Sequence, residues 1–261
     1  MQLALSLGLL AAAVLVGAAY AVMALVAGAT TRSRLERARL EREGSSVLLG
    51  KQATRALYSV VAPVGRLARW LHITPNVITW TSLVLSMLAW ALLGVSLFGS
   101  AAIVAVVGAG FDALDGWLAR ETGTASDAGE VFDATVDRYG EFAFLAGLGF
   151  AFRTDCGMLL LVLGALCGSF MVSYATAKAE ALRVEVSRGA MRRVERAVYL
   201  IAGVTLVPVV SALAPGWDKV PVALALGLVA VVGNGSAIHR LMQCARALRL
   251  RDRAMTVGEK P

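Results

Sequence analysis

The chain predicts an all-α integral membrane protein, and three observations carry that expectation. Hydrophobic residues make up 58% of it and charged residues only 16%, against roughly 25% charged in soluble globular chains. Apolar stretches of about 20 residues, the length that crosses a bilayer, recur seven times. The basic residues between them fall on alternate sides. A length of 261 residues suits one membrane domain with small appendages.

The first apolar stretch, residues 3–27, has no basic leader, exceeds the apolar region of a signal peptide and is followed by arginines. It reads as an uncleaved anchor, residues 1–29, with its N-terminus outside. Residues 30–74 form a basic cytoplasmic segment. Within it, "KQATRALYSVVAPVGRLARWLHITPN" mixes Arg with Leu, Val and Trp70, as an amphipathic helix lying in the membrane interface does. Pro75 suits the first turn of a helix, where its missing N–H costs nothing. It opens a six-helix membrane domain, residues 75–250, with spans over 77–97, 101–120, 128–152, 158–181, 194–213 and 220–244. Two short loops lie around Gly99 and Asp155, and residues 251–261 form a cytoplasmic tail.

The basic residues set the topology. Residues 30–74 hold nine, the stretch from Lys178 to Arg196 six, and the chain from Arg240 onward six more. The opposite loops hold only Arg153 and Lys219. Lys and Arg stay on the cytoplasmic side, so seven spans leave the N-terminus outside and the basic loops inside. Topology thus accounts for the net charge of +7, and no nucleic-acid partner is implied. Cys156, Cys167 and Cys244 show no paired spacing and read as small core residues. The sequon at Asn234 falls inside an expected span and reads as accidental.

One stretch resists a purely structural reading. "FDALDGWLARETGTASDAGEVFDATVD", residues 111–137, carries Asp112, Asp115, Asp133 and Asp137 where two spans meet on the cytoplasmic side. Asp112 and Asp115 project about 60° apart on a helix, while Gly129, Asp133 and Asp137 form one slowly drifting stripe. If the two helices pack antiparallel, both pairs converge. A carboxylate costs about 2.5–3.5 kcal/mol at the centre of a membrane helix on the insertion scale, so such a cluster persists when cations neutralise it. All-oxygen ligation selects Mg²⁺, Mn²⁺ or Ca²⁺. Gly116 and Gly129 open space beside the carboxylates, and Arg120 lies at the same depth, suited to phosphate oxygens. Metal beside arginine fits phosphoryl-type transfer. An ion-pair cluster or an ion pathway fits the spacing as well.

The spacing Asp112-x2-Asp115-Gly116-x2-Ala119-Arg120-x8-Gly129-x3-Asp133-x3-Asp137 resembles, at all eight fixed positions over 26 residues, the signature of the CDP-alcohol phosphotransferases. These are integral membrane enzymes of phospholipid synthesis. The similarity extends over about residues 71–248, with "TPNVIT" like the entry to the family's first core helix. The family core has six spans, so the fold implied is that six-helix catalytic core plus one extra N-terminal helix. The resemblance implies that Asp112, Asp115, Asp133 and Asp137 hold two divalent ions, Mg²⁺ or Mn²⁺, and that Asp137 is also the catalytic base. It implies a nucleotide pocket of Gly116, Ala119, Arg120 and Gly129, with Asn76 and Thr79 contributing from the neighbouring helix. The donor implied is CDP-diacylglycerol, with CMP leaving. The family also implies a homodimer, with which Gly147, Gly149, Gly164 and Gly168 are compatible.

The acceptor is less legible. "SYATAKAE" and "RRVER" resemble members that use phosphorylated polyols, and Arg138 after the base resembles the inositol-phosphate users. Arg193 and Arg196, three residues apart, suit a phosphate clamp with Lys178 nearby. Thr176 stands where those relatives carry lysine, and Lys178 is turned about 200° from it. Inositol phosphate is therefore expected, with glycerol 3-phosphate as the competing acceptor. A divalent-cation carrier is the rival of another class. Arg120 opposes it, since a fixed cation raises the barrier to ions.

Overall fold

The computed structural model describes residues 1–9, 11, 64–186 and 190–258, with side chains through residue 253. Most of the expected anchor, the basic stretch through residue 63, and Arg188 lie outside the described residues. Residues 2–9 and 64–70 are helical, and six long helices follow. These are α1 (Pro75–Gly94), α2 (Phe98–Glu121), α3 (Asp127–Ala151), α4 (Cys156–Ala181), α5 (Arg193–Leu213) and α6 (Val220–Gly258). Among the described residues every regular element is a helix.

Five of the six are long and apolar enough to cross a membrane. The chain is a multi-pass membrane protein. The exception is α3, which carries Asp127, Glu130, Asp133, Asp137, Arg138 and Glu141 in its first fifteen positions. That half of α3 needs protein or water beside it, since charges facing lipid are costly.

Local sequence sets the helix ends. Thr74 is extended, with ψ 151°, and Pro75 opens α1. At the end of α2, Gly123 takes φ +69°, and Thr124 N donates to Ala119 O at 3.0 Å. This is the left-handed stop that glycine allows. Three residues later the Ser126 hydroxyl accepts from Gly129 N at 3.2 Å and starts α3. The tight α2–α3 hairpin folds the two aspartate pairs back on each other. By contrast, α6 runs on to Gly258, past the expected end at 244 and through most of the expected tail. Apolarity stops there, but "ARALRLRDRAM" is rich in Ala, Leu and Arg and has no breaker before Gly258.

The helices pack as pairs: α1 against α2 and α3, α4 against α6, and α5 between α2 and α6. A Cβ on Gly147 would stand 3.0 Å from Leu93 Cβ and Trp90 O, so its absence lets α3 approach α1. Asn234, the sequon residue, spends its amide on Gly164 O and Ala230 O at 3.0 and 2.7 Å. The main core joins Leu93, Leu145, Leu148, Val204, Leu226 and Val229 across four of the helices.

The two ends of the bundle differ. Gln2 donates to Ser100 Oγ at 3.0 Å and accepts from Ser100 N at 2.9 Å, pinning the N-terminal helix to the start of α2. Ser100 lies about 18 Å along α2 from Asp112. At this same end Lys219 binds Asp155 at 2.7 Å, and that bond holds the Asp155 carboxyl below its usual range. At the other end, helix 64–70 lays Gly65 and Ala68 against α2, where the Trp117 ring covers Gly65. Leu67, Trp70 and Leu71 face outward.

Candidate active site

Three aspartates meet at the start of the hairpin. Asp112 of α2 and Asp133 and Asp137 of α3 each offer a carboxylate oxygen within 4.8 Å of the others. Asp115 stands beside them, near enough to feel the charges of Asp133 and Asp112. It is only 4% exposed. Its Oδ2 accepts from the Thr79 hydroxyl at 2.6 Å and its Oδ1 from Gly116 N at 2.6 Å.

The expected convergence of two pairs therefore takes the form of a triad plus one tethered carboxylate. Thr79, expected beside the nucleotide, is buried and turned to Asp115 instead. It lies one helical turn inside α1, where the core begins. Asn76, nearer the helix start, is exposed.

The donor set fits a hard divalent ion. Every ligating atom is a carboxylate oxygen, and Asp133 Oδ1 is buried without a hydrogen-bond partner. A buried, unpaired carboxylate oxygen is expensive unless a cation meets it. Asp112, Asp133 and Asp137 could hold such an ion, with Asp115 at its margin.

Arginines surround the cluster. Arg120 folds over Gly116, where a Cβ would lie 3.2 Å from Nη1, and its charge reaches Asp133. Arg193 places Nη1 2.8 Å from Asp112 Oδ2 and Nη2 2.8 Å from Asp112 Oδ1. Its Nη2 is also 2.6 Å from Asp137 Oδ1.

The expected Arg193–Arg196 clamp does not form. Arg196 is 1% exposed and gives Nε and Nη2 to Glu141 at 2.6 and 2.8 Å. Its Nη1 donates to Met191 O at 2.8 Å. Three residues on a helix rotate the side chain about 60°, which takes Arg196 out of the site and into the protein. Lys178 is exposed in the last turn of α4. Ala119 is half-buried on α2 and Gly129 opens the first turn of α3.

Sequence reading missed two features. Glu141, one turn beyond Asp137, is the partner that claims Arg196. Arg240 of α6, counted as a topology charge, is buried and donates to the Thr176 hydroxyl at 2.6 Å and to Ala190 O at 3.3 Å. The charges of Arg192 and Arg196 reach it. Toward the bundle interior, a cavity of about 100 Å³ continues from Asp112, Asp137 and Arg193 past Ser82, Ser86 and Gly108.

The family model for CDP-alcohol phosphatidyltransferase matches residues 71–233. The chain belongs to the CDP-alcohol phosphatidyltransferase family. It is a transferase of phospholipid biosynthesis. The phosphatidylinositol phosphate synthase of Mycobacterium tuberculosis (strain ATCC 25618 / H37Rv) is 33% identical over 200 residues, 72% of this chain and 87% of that one. Crystal structures of the M. tuberculosis phosphatidylinositol phosphate synthase give the same picture. One with CDP-DAG bound superposes with a TM-score of 0.63 at 28% identity, covering 71% of this chain and 94% of that one. Another, in complex with manganese and citrate, also gives 0.63 at 28%, covering 70% and 88%.

Proposed function

We propose that the protein transfers a phosphatidyl group from CDP-diacylglycerol to a hydroxyl of an inositol phosphate and releases CMP. The observation that carries this reading is the carboxylate triad of Asp112, Asp133 and Asp137 within 4.8 Å, ringed by arginines at the end of a membrane hairpin. Relatives named phosphatidylinositol phosphate synthase support the acceptor. A relative's structure with manganese supports a divalent ion.

In this reading Asp112, Asp115, Asp133 and Asp137 hold two divalent ions, Mg²⁺ or Mn²⁺. When bound, these ions would neutralise the donor diphosphate and offset charge as the phosphorus is attacked. Thr79 acts through Asp115, fixing the carboxylate that it bonds. Gly116, Ala119 and Gly129 leave room for the nucleotide, and Arg120 and Asn76 contact it. Asp137 takes the proton of the acceptor hydroxyl as that oxygen bonds to the β-phosphorus. The bond from that phosphorus to the CMP oxygen breaks, and CMP departs with the electron pair. Positioning and charge neutralisation account for most of such a rate enhancement. Arg193 and Lys178 serve the acceptor phosphate, while Arg196 supports the wall behind them.

The site end faces the cytoplasm in this reading, because the basic residues cluster there, and the N-terminal residues pinned to Ser100 lie outside. Thr176, in the place of a lysine, favours glycerol 3-phosphate as the second acceptor to test.

The deciding experiment is CMP release from CDP-diacylglycerol by purified protein with Mg²⁺ or Mn²⁺. Inositol 1-phosphate, glycerol 3-phosphate, free inositol and serine are offered separately. CMP that depends on inositol 1-phosphate is expected. CMP that depends only on another alcohol overturns the acceptor assignment, and none with any acceptor overturns the reaction.

A further inference from the structure

The cluster already contains a cation of its own. Arg193 occupies both oxygens of Asp112 and lies against Asp137 Oδ1, at 2.8, 2.8 and 2.6 Å. A divalent ion shared by Asp112 and Asp137 needs oxygens from the same two carboxylates, at about 2.0–2.2 Å for Mg²⁺. The guanidinium stands across that approach, and its charge repels a second cation at contact distance. Arg193 and the ion therefore exclude each other from one seat.

The surroundings give Arg193 a way out. It is the first residue of α5, and its side chain is 36% exposed, so a change of rotamer carries it outward without unpacking the helix. Arg196 has neither freedom, being buried and bonded through all three guanidinium nitrogens. Outside the aspartates, Arg193 faces mostly positive charge, since the one carboxylate whose charge reaches it, Glu141, is already paired with Arg196. Arg138 lies within electrostatic reach of both Arg193 and Arg196, and the Arg192 and Arg240 charges lie beyond. A displaced guanidinium there calls for an anion, and Arg offers a phosphate two parallel donors.

We infer that Arg193 is an exchangeable cation, seated on Asp112 and Asp137 until a divalent ion replaces it, and then turned to the phosphate of the acceptor. This rests on the proposed reading of the aspartates as an ion site. Ion binding and phosphate binding are then coupled through one side chain. By linkage each strengthens the other by the same factor.

The test is Mn²⁺ binding to the purified full-length protein in nanodiscs, followed by the electron paramagnetic resonance of free Mn²⁺. The wild type, Arg193→Ala and Arg193→Lys are compared with and without millimolar inorganic phosphate, free Mn²⁺ being calibrated in each buffer. Arg193→Ala is expected to bind Mn²⁺ about tenfold tighter, since the competitor is gone and the carboxylates are left uncompensated. Arg193→Lys, which keeps the charge without the fork, should fall between. Phosphate should tighten Mn²⁺ binding about fivefold in the wild type and leave Arg193→Ala unmoved. Equal or weaker Mn²⁺ binding by Arg193→Ala overturns the exchange, as does a phosphate effect that survives it, while the ion-site reading stands. Mn²⁺ binding by none of the three proteins overturns the ion site itself.

Discussion

Arg193 and Arg196 are one helical turn apart on α5, and each meets carboxylates of α3, yet their circumstances differ. Arg196 is sealed: 1% exposed, paired in a fork with Glu141 and tied to Met191 O. Arg193 sits at the helix start with a third of its side chain open, between carboxylates from two helices. A sealed pair with all three guanidinium nitrogens engaged fixes a shape. An open guanidinium on a crowded carboxylate cluster is held only by the carboxylates that a cation would also claim, and can be exchanged. The difference comes from burial and partner count, since residue type and helix are the same. It separates the part of the polar core that is sealed into the bundle from the part that the proposed reaction uses.

The largest expected effect lies on the open side. Asp137→Asn keeps the shape of the triad but loses the proposed base, so transfer should fall by about a thousandfold or more, on the order of what general-base catalysis supplies. Retention of CDP-diacylglycerol binding, measured directly, is the partner observation. Loss of donor binding together with turnover would move Asp137 from proton transfer to donor placement.

The sealed side should respond in stability instead. Arg196→Met leaves Glu141 charged and buried, and breaking such a pair costs about 3–5 kcal/mol. Thermal melting of the purified protein should show a large drop in Tm. Adding Glu141→Leu removes the stranded charge and should restore more than half of it. If the double variant melts no higher than the single one, the Met191 bond rather than the Glu141 pair holds this region.

Arg193→Ala should give the reverse profile. The acceptor KM is expected to rise about ten- to a hundredfold, the worth of a charge-assisted bond to phosphate. Tm should move much less than in Arg196→Met. An unchanged acceptor KM with a Tm loss as large as that of Arg196→Met would erase the distinction between the two arginines.

How much of this was legible in the sequence follows from how local each feature is. The meeting of Asp112, Asp133 and Asp137 was legible because they lie within one hairpin, where Gly123 and Ser126 set the return and helical spacing sets the faces. The α2 and α3 helices were legible for the same reason, but the expected span over α3 was not met, because its charged first half keeps it out of the candidate membrane spans. Arg196 was misassigned because its partner, Glu141, is 55 positions away, and nothing in "RRVER" distinguishes a sealed arginine from an open one. Arg240 was missed on similar grounds: its partner Thr176 lies 64 positions away on another helix. The far end of α6 was cut short because apolarity was used as the marker of the helix, whereas helix propensity continues past the membrane.

A third arginine tests whether exposure grades function smoothly. Arg120 is exposed and folds over Gly116, so it is more open to solvent than either arginine of α5. A methyl at Gly116 would lie 3.2 Å from its Nη1, and the flexible guanidinium can give way by the few tenths of an ångström required. Gly116→Ala should therefore raise the KM for CDP-diacylglycerol only about fivefold, roughly 1 kcal/mol of binding, with kcat and Tm nearly unchanged. A rise of a hundredfold would mean that the donor itself approaches the Gly116 backbone, where a methyl cannot yield. The room at Gly116 would then matter more to donor binding than the position of Arg120 does.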